Sequence, residues 1–137
     1  MIVYTAKNKF DLSEKNNLSK WIEFVIHQEE KNLGEINYIF CNDNDLLEIN
    51  IKHLNHNTLT DIISFDFSLG DIISGDVFIS TERIAENALG LGFSFQEELH
   101  RVMIHGILHY CGYGDKTEEQ KTQMRAKEDY YLSLRTF

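Results

Sequence analysis

The chain has 137 residues, enough for one compact domain with a hydrophobic core. Its 42% apolar and 26% charged residues exclude the low-hydrophobicity, high-charge composition of disordered chains. Thirteen Lys and Arg against 22 Asp and Glu leave a net charge of −9, so the summed field repels polyanions and any contact with nucleic acid must be local.

Ile2 to Tyr4 reads as a short β-branched strand, and Leu18 to Leu33 as an amphipathic helix with apolar residues at Leu18, Trp21, Ile22, Val25 and Ile26. A second strand follows at Ile36 to Cys41, then a helix over Asp43 to Leu54 behind an Asp/Asn cap. Asp61 to Phe67 and Gly75 to Ser80 read as two further strands, joined by a polar turn over Ser68 to Ser74. Ser80 or Thr81 caps a helix to Leu91, which Gly90 and Gly92 end. Ser94 with Glu97 has the spacing of a capping box for the next helix, and Thr117 with Gln120 that of another for the last. With no proline in the chain, these Gly, Asn, Asp and capping hydroxyl residues carry all the punctuation. The order βαβαββααα, without repeat or linker, favours a single α+β domain over residues 1–137. Its small, mostly parallel sheet of about four strands, one of them antiparallel, lies under about five helices.

The helix opened by Ser94 brings His105 and His109 into an i, i+4 pair, neighbours on one face whose imidazoles can reach one ion. Gly112 and Gly114 end that helix, and the turn presents Asp115, a carboxylate able to complete a three-ligand set with a fourth position left to water. Two histidines on one face are equally compatible with simple packing or solvation, and an Asp beside Gly also serves as a turn residue. A Zn²⁺ in such a site would lower the pKa of bound water from 15.7 to about 7, which makes hydrolysis the implied reaction class. Gly106 stands where a metalloprotease carries its Glu base, which weighs against a peptidase; it also suits close packing of the helix.

Glu98, two turns before His105, lies on nearly the same stripe. It is a candidate acceptor for an imidazole N–H, or simply an acidic residue favoured near a helix N-terminus. Lys116, Lys121 and Arg125 are candidate phosphate-binding residues after the site, although Glu118, Glu119, Glu128 and Asp129 interleave with them as on an ordinary solvated face. His27, His53, His56 and His100 have no comparable spacing and read as surface or core histidines, and Cys111 as a small buried hydrophobe. Two cysteines and no signal-peptide pattern point to a cytoplasmic protein with reduced thiols, and no apolar run approaches the roughly 20 residues that span a bilayer.

The run His105-Gly106-Ile107-Leu108-His109-Tyr110-Cys111-Gly112-Tyr113-Gly114-Asp115 resembles the H-G-x-L-H-x-x-G-Y-D-H signature of the YbeY family of bacterial metal-dependent endoribonucleases. Upstream, Leu54-Asn55, Thr60-Asp61-Ile62-Ile63-Ser64-Phe65 and Gly75-Asp76-Val77-Phe78-Ile79-Ser80 are similar to the family's L-N, T-D-V-L-S-F and G-D-I-x-I-S blocks in the same order. Met124 and Glu128 fall where its final helix has a similar pair. The resemblance implies a zincin-like arrangement and one zinc held by His105 and His109. Its third ligand would be Asp115, where the family signature has His. It also implies cleavage of single-stranded RNA in maturation of the 16S rRNA 3′ end and in ribosome quality control, with the ribosome or ribosomal proteins as partners and neither DNA nor membrane involved. The family's loop Arg and Pro are missing from His56-Asn57-Thr58-Leu59-Thr60, where a protonated His56 is a candidate substitute. Two other functions remain compatible with the sequence: a metallohydrolase of peptides or small molecules, and a non-catalytic ribosome-associated module stapled by its ion.

Overall fold

The computed structural model describes residues 1–56 and 58–137. Its elements are β1 (Ile2–Ala6), α1 (Lys15–Gln28), β2 (Asn32–Cys41), α2 (Asp43–Leu54), β3 (Ile62–Asp66), β4 (Ile72–Ser80), α3 (Thr81–Leu91), α4 (Phe95–Tyr110) and α5 (Glu118–Ser133). The four strands form one sheet in the order β1-β2-β4-β3, with β1, β2 and β4 parallel and β3 antiparallel at the edge. The expected α+β order and mixed sheet are those observed. No helix among the described residues is long and apolar enough to cross a membrane.

Strand alternation sorts the core into two unequal parts. Ile36, Tyr38 and Phe40 of β2 and Val77 and Ile79 of β4 meet the apolar stripes of α1 and α4 in the main core. On the opposite face Cys41, Leu46 and Ile63 form a small second cluster under α2, with Ile49, Phe65 and Phe78 against it. Helix α4 is the central helix, with ten buried residues along its length. Three contacts fix its position over the sheet. Tyr38 Oη donates to the Met103 carbonyl at 2.9 Å, and Tyr110 Oη reaches the Phe65 carbonyl at 3.0 Å. Gly106 passes so close to the sheet that a Cβ there would meet Ile62 Cδ1 at 3.2 Å.

Several boundaries depart from the sequence reading, for identifiable reasons. The first helix stops at Gln28 because Glu30 adopts a left-handed φ of 62°, so Leu33 belongs to β2 instead of the helix. Strand β4 begins at Ile72, and Leu69 and Ile72 exchange backbone bonds across the hairpin turn. Gly92 alone takes the left-handed cap of α3, at φ 75°; Gly90 stays helical. Ser94 accepts from the Glu97 N–H at 3.1 Å without the reciprocal bond from Glu97, so the expected box is a simple cap, whereas Thr117 and Gln120 form the full box.

Candidate active site

Helix α4 delivers His105 and His109 from successive turns, and a tight stop after Tyr110 delivers Asp115. Cys111 caps α4, and Gly112, at φ 107°, lets the chain reverse, with the Gly112 N–H donating to the His109 carbonyl and the Tyr113 N–H to the Leu108 carbonyl, both at 3.0 Å. This is a Schellman stop, and its positive φ requires glycine. Gly114 is needed for space instead. A Cβ there would meet the Gln120 side chain at 2.8 Å, and Gln120 Oε1 accepts from the Lys116 and Thr117 N–H groups to fix the turn that presents Asp115.

The three side chains converge. His105 Nε2 and His109 Nε2 lie 3.0 Å apart, and Asp115 Oδ2 is 3.3 Å from the first and 3.2 Å from the second. Ligands about 2.0–2.2 Å from a tetrahedral ion are separated by about 3.3 Å, so the triangle matches the base of such a site. The opposite ring nitrogens are committed elsewhere. His105 Nδ1 is 2.7 Å from Glu128 Oε2, and His109 Nδ1 is 2.9 Å from the Tyr113 carbonyl. Both partners are acceptors, so each Nδ1 carries the proton and each Nε2 turns its lone pair toward the shared point. Burial disfavours the His105 imidazolium, but the bond to Glu128 and the charges of Glu128, Asp115 and Asp61 outweigh it and hold the pKa above its ordinary value.

The triangle opens into a cleft of about 570 Å³ lined by β3 and the segment before it, by α4 and by α5. Glu98, Lys121 and Arg125 line it; Lys116 is exposed outside that lining, and so is His56. Asn57, in the loop where the family's Arg is missing, lies outside the described residues. The expected bond from Glu98 to an imidazole is not made. Glu128, read in the sequence as part of a solvated face, is buried and makes that bond from α5. Arg101, one turn before His105, ties Glu128 Oε1 at 3.0 Å and Asp129 at 2.7 Å. Burial raises the Asp61 carboxyl pKa, and burial followed by the Asp61 charge raises that of Glu98 against the pull of Arg101 and Arg125. Sequence reasoning missed Asp61 and Arg101 as cleft residues and Glu128 as the imidazole acceptor. The one available signal for Glu128 was its pairing with Met124, four residues earlier, in the final-helix resemblance.

Behind the turn, Glu29 gathers Tyr113, Tyr131 and Lys127: Tyr113 Oη donates to it at 2.7 Å, Tyr131 Oη also donates, and Lys127 lies at 3.4 Å. Burial works against its charge, but these donors hold its pKa below the usual carboxylate value. The network anchors the Tyr113 side chain, whose carbonyl orients His109. Cys111 packs half-buried against the main core, and burial pushes its thiol up to about 11, as suits a structural residue.

The model of the family described as Endoribonuclease YbeY matches residues 3–135. The chain belongs to the YbeY endoribonuclease family. It is 55% identical over 134 residues to the Endoribonuclease YbeY of Flavobacterium psychrophilum, covering 98% of this chain and 96% of that protein. It is 48% identical to the one from Christiangramia forsetii, covering 97% and 93%. Among solved structures it is similar to the solution structure of TM1509 from Thermotoga maritima, with a TM-score of 0.71, 26% identity, and coverage of 97% of this chain and 87% of that one. Family membership places the chain among nucleases that hydrolyse RNA phosphodiester bonds. The His–His–Asp triangle is a donor set able to hold a metal ion.

Proposed function

We propose that His105, His109 and Asp115 hold one Zn²⁺, and that the chain uses it to cut single-stranded RNA in maturation of the 16S rRNA 3′ end and in ribosome quality control. In this reading it works in the cytoplasm, with the ribosome or ribosomal proteins as partners and not on DNA. The supporting observation is the pair of Nε2 lone pairs aimed at one point beside Asp115 Oδ2, each fixed by an acceptor on its own Nδ1. A bound Zn²⁺ would supply a water acidic near neutral pH and positive charge beside the phosphoryl oxygen.

The chain's own residues supply the rest. Glu128 and the Tyr113 carbonyl set the tautomer and angle of the two rings before substrate arrives, so no reorganisation is needed during the reaction. Arg125 and Lys121 stand at the mouth of the cleft with their side chains about half exposed, each only loosely paired, with Glu128 at 3.9 Å and Glu118 at 3.7 Å, and so able to turn to RNA phosphates. Arg101 is held inside by Glu128 and Asp129 and contributes fixed positive charge to the wall. With a net charge of −9, affinity for RNA depends on these few cations and should fall with salt.

The test is cleavage of a ribosomal RNA fragment by purified protein, with elemental analysis of the same material. One Zn²⁺ per chain and chelator-sensitive cutting, both lost in His109→Ala and in Asp115→Ala while circular dichroism stays native, are expected. Cutting that survives in both variants would falsify the site. Unfolding on chelation with no cutting at any stage would favour a structural ion.

A further inference from the structure

Two buried carboxylates enter the cleft, and they differ. Glu128 is bonded at both oxygens, to Arg101 and to His105. Glu98 is as deeply buried, at 5% exposure, yet its Oε1 has no hydrogen-bond partner. Arg101 and Arg125 are near enough to act on its charge, but neither is bonded to it: Arg101 is spent on Glu128 and Asp129, and Arg125 leans toward Glu128 at 3.9 Å. A buried, unpaired carboxylate opposes folding, so its place on the wall of a substrate cleft needs a functional account.

That oxygen is closed off from solvent, so a ligand in the cleft reaches it only as the carboxyl rotates outward, and its position limits what that ligand can be. Glu98 stands seven residues before His105 on the same helix, about 10 Å along the axis, well beyond the roughly 3.4 Å that separates stacked nucleotides. It is therefore out of reach of the phosphate at the ligand triangle and level with a nucleotide about three stacked steps along the strand. An RNA phosphate would be repelled by it and drawn to Arg125. A base is the part of the strand that brings hydrogen-bond donors, and single-stranded RNA leaves the Watson–Crick edge open. Guanine, adenine and cytosine each carry an amino group on that edge, which a carboxyl oxygen accepts; uracil has none.

Building on the endoribonuclease reading, we propose that Glu98 is the specificity-determining residue of the cleft: its carboxylate accepts hydrogen bonds from the Watson–Crick edge of a base about three nucleotides from the cut and so disfavours uridine at that position. Ionised, it suits the adjacent N1–H and N2 amino donors of guanine. Adenine and cytosine offer the carboxylate one amino donor, and uracil only an N3–H flanked by two carbonyl oxygens that repel it. The ionised form therefore ranks guanine first and uracil last.

The experiment uses a pool of short single-stranded RNAs randomised around the cut, with the products sequenced. Retention of the same pool on the protein is measured separately. The wild type should select against uridine about tenfold at one fixed position about three nucleotides from the cut, in cleavage and in retention alike. Glu98→Gln, whose amide can both donate to and accept from uracil, and Glu98→Leu, which does neither, should each reduce that selection to within about twofold. Their melting temperatures should equal or exceed the wild type's, because an unpaired carboxylate has been removed. A wild type that cuts without base preference, or the same preference in both variants, would overturn the role of Glu98 and leave the ligand triangle untouched. Selective retention without cutting would overturn the nuclease reading and leave Glu98 as the base reader. Guanosine should be the most favoured base at that position, because it alone presents two adjacent donors to the carboxylate.

Discussion

His100 and His105 sit five residues apart on α4 and have opposite chemistry. His100 faces the closed side of the helix, with its ring 6.0 Å from Trp21 and 5.5 Å from Phe137, and its Nδ1 lies 2.6 Å from Arg135 Nη1. A guanidinium only donates, so that nitrogen must be unprotonated; burial and then the Arg135 charge push the pKa down to about 4. His105 faces the cleft, where it is only partly buried, and Glu128, Asp115 and Asp61 surround it and its pKa is raised. The same helix thus holds one imidazole neutral as core material and another poised to exchange a proton for an ion. Residue type and period alone do not separate them; the charge on the neighbouring element does.

The largest effect is expected where the cause of that contrast is removed at the cleft. Glu128→Ala should weaken metal affinity about 10–100-fold, the usual loss when an imidazole ligand is left without its outer acceptor, and cutting at limiting metal should fall in step. Glu128→Gln, whose amide oxygen can still accept from His105 Nδ1, should lose less. Equal affinity in wild type and Glu128→Ala, measured by competition with a chromogenic chelator, would show that the ring is oriented by packing alone. Because protons and metal compete for His105, and its pKa lies above the ordinary 6.5, uptake should already weaken as pH falls through the neutral range.

At the closed side the expected effect is smaller and concerns stability. With a folded pKa of about 4 against about 6.5 when unfolded, His100 takes up a proton in the unfolded chain first as the pH drops. Stability is therefore intact above about pH 6.5 and declines toward pH 4, by an amount on the order of 3 kcal/mol. His105 works the other way in metal-free protein: its raised pKa adds stability below the unfolded value of about 6.5, and that contribution is lost as the pH rises through the folded value. The two windows are separate. Urea unfolding of wild type and His100→Gln at pH 6.5 and 4.5 isolates the first, and identical pH slopes in the two proteins would refute it.

The contrast also shows which parts of the molecule the sequence could reveal. Asp43–Leu54 was readable to its ends, because a capping pair at Asn42 and Asp45 and a lysine and histidine in the last turn are local signals. The His105–His109 pair and the glycine stop were local too. Glu30 gave no warning of a left-handed turn, since nothing local favours that φ in glutamate, and Leu33 continued the helical period past the true end. The pairing of His105 with Glu128 spans 23 residues and exists only because α5 packs beside α4. The stripe reading put Glu98 on the face of His105, and that face does line the cleft, but the imidazole bond is made by Glu128, because period fixes a direction and only packing fixes who stands there.

The smallest expected effect lies where α4 touches the sheet between these two histidine environments. A Cβ on Gly106 would come to 3.2 Å from Ile62 Cδ1 and 3.5 Å from Val77 Cγ1, the first tighter than ordinary contact. Alanine gains about 1 kcal/mol over glycine inside a helix, and the crowded atom is the free end of a side chain that is itself only half-buried against the cleft. The two effects oppose each other, so Gly106→Ala should shift unfolding free energy by less than about 1 kcal/mol and leave the triangle's metal affinity unchanged. Valine puts two further carbons into the same gap and should cost about 1–3 kcal/mol, because β4 behind Ile62 cannot retreat without dragging β2 and the main core with it. If Gly106→Val were as stable as wild type by chemical denaturation, close approach of α4 to β3 and β4 would not be what positions the histidines.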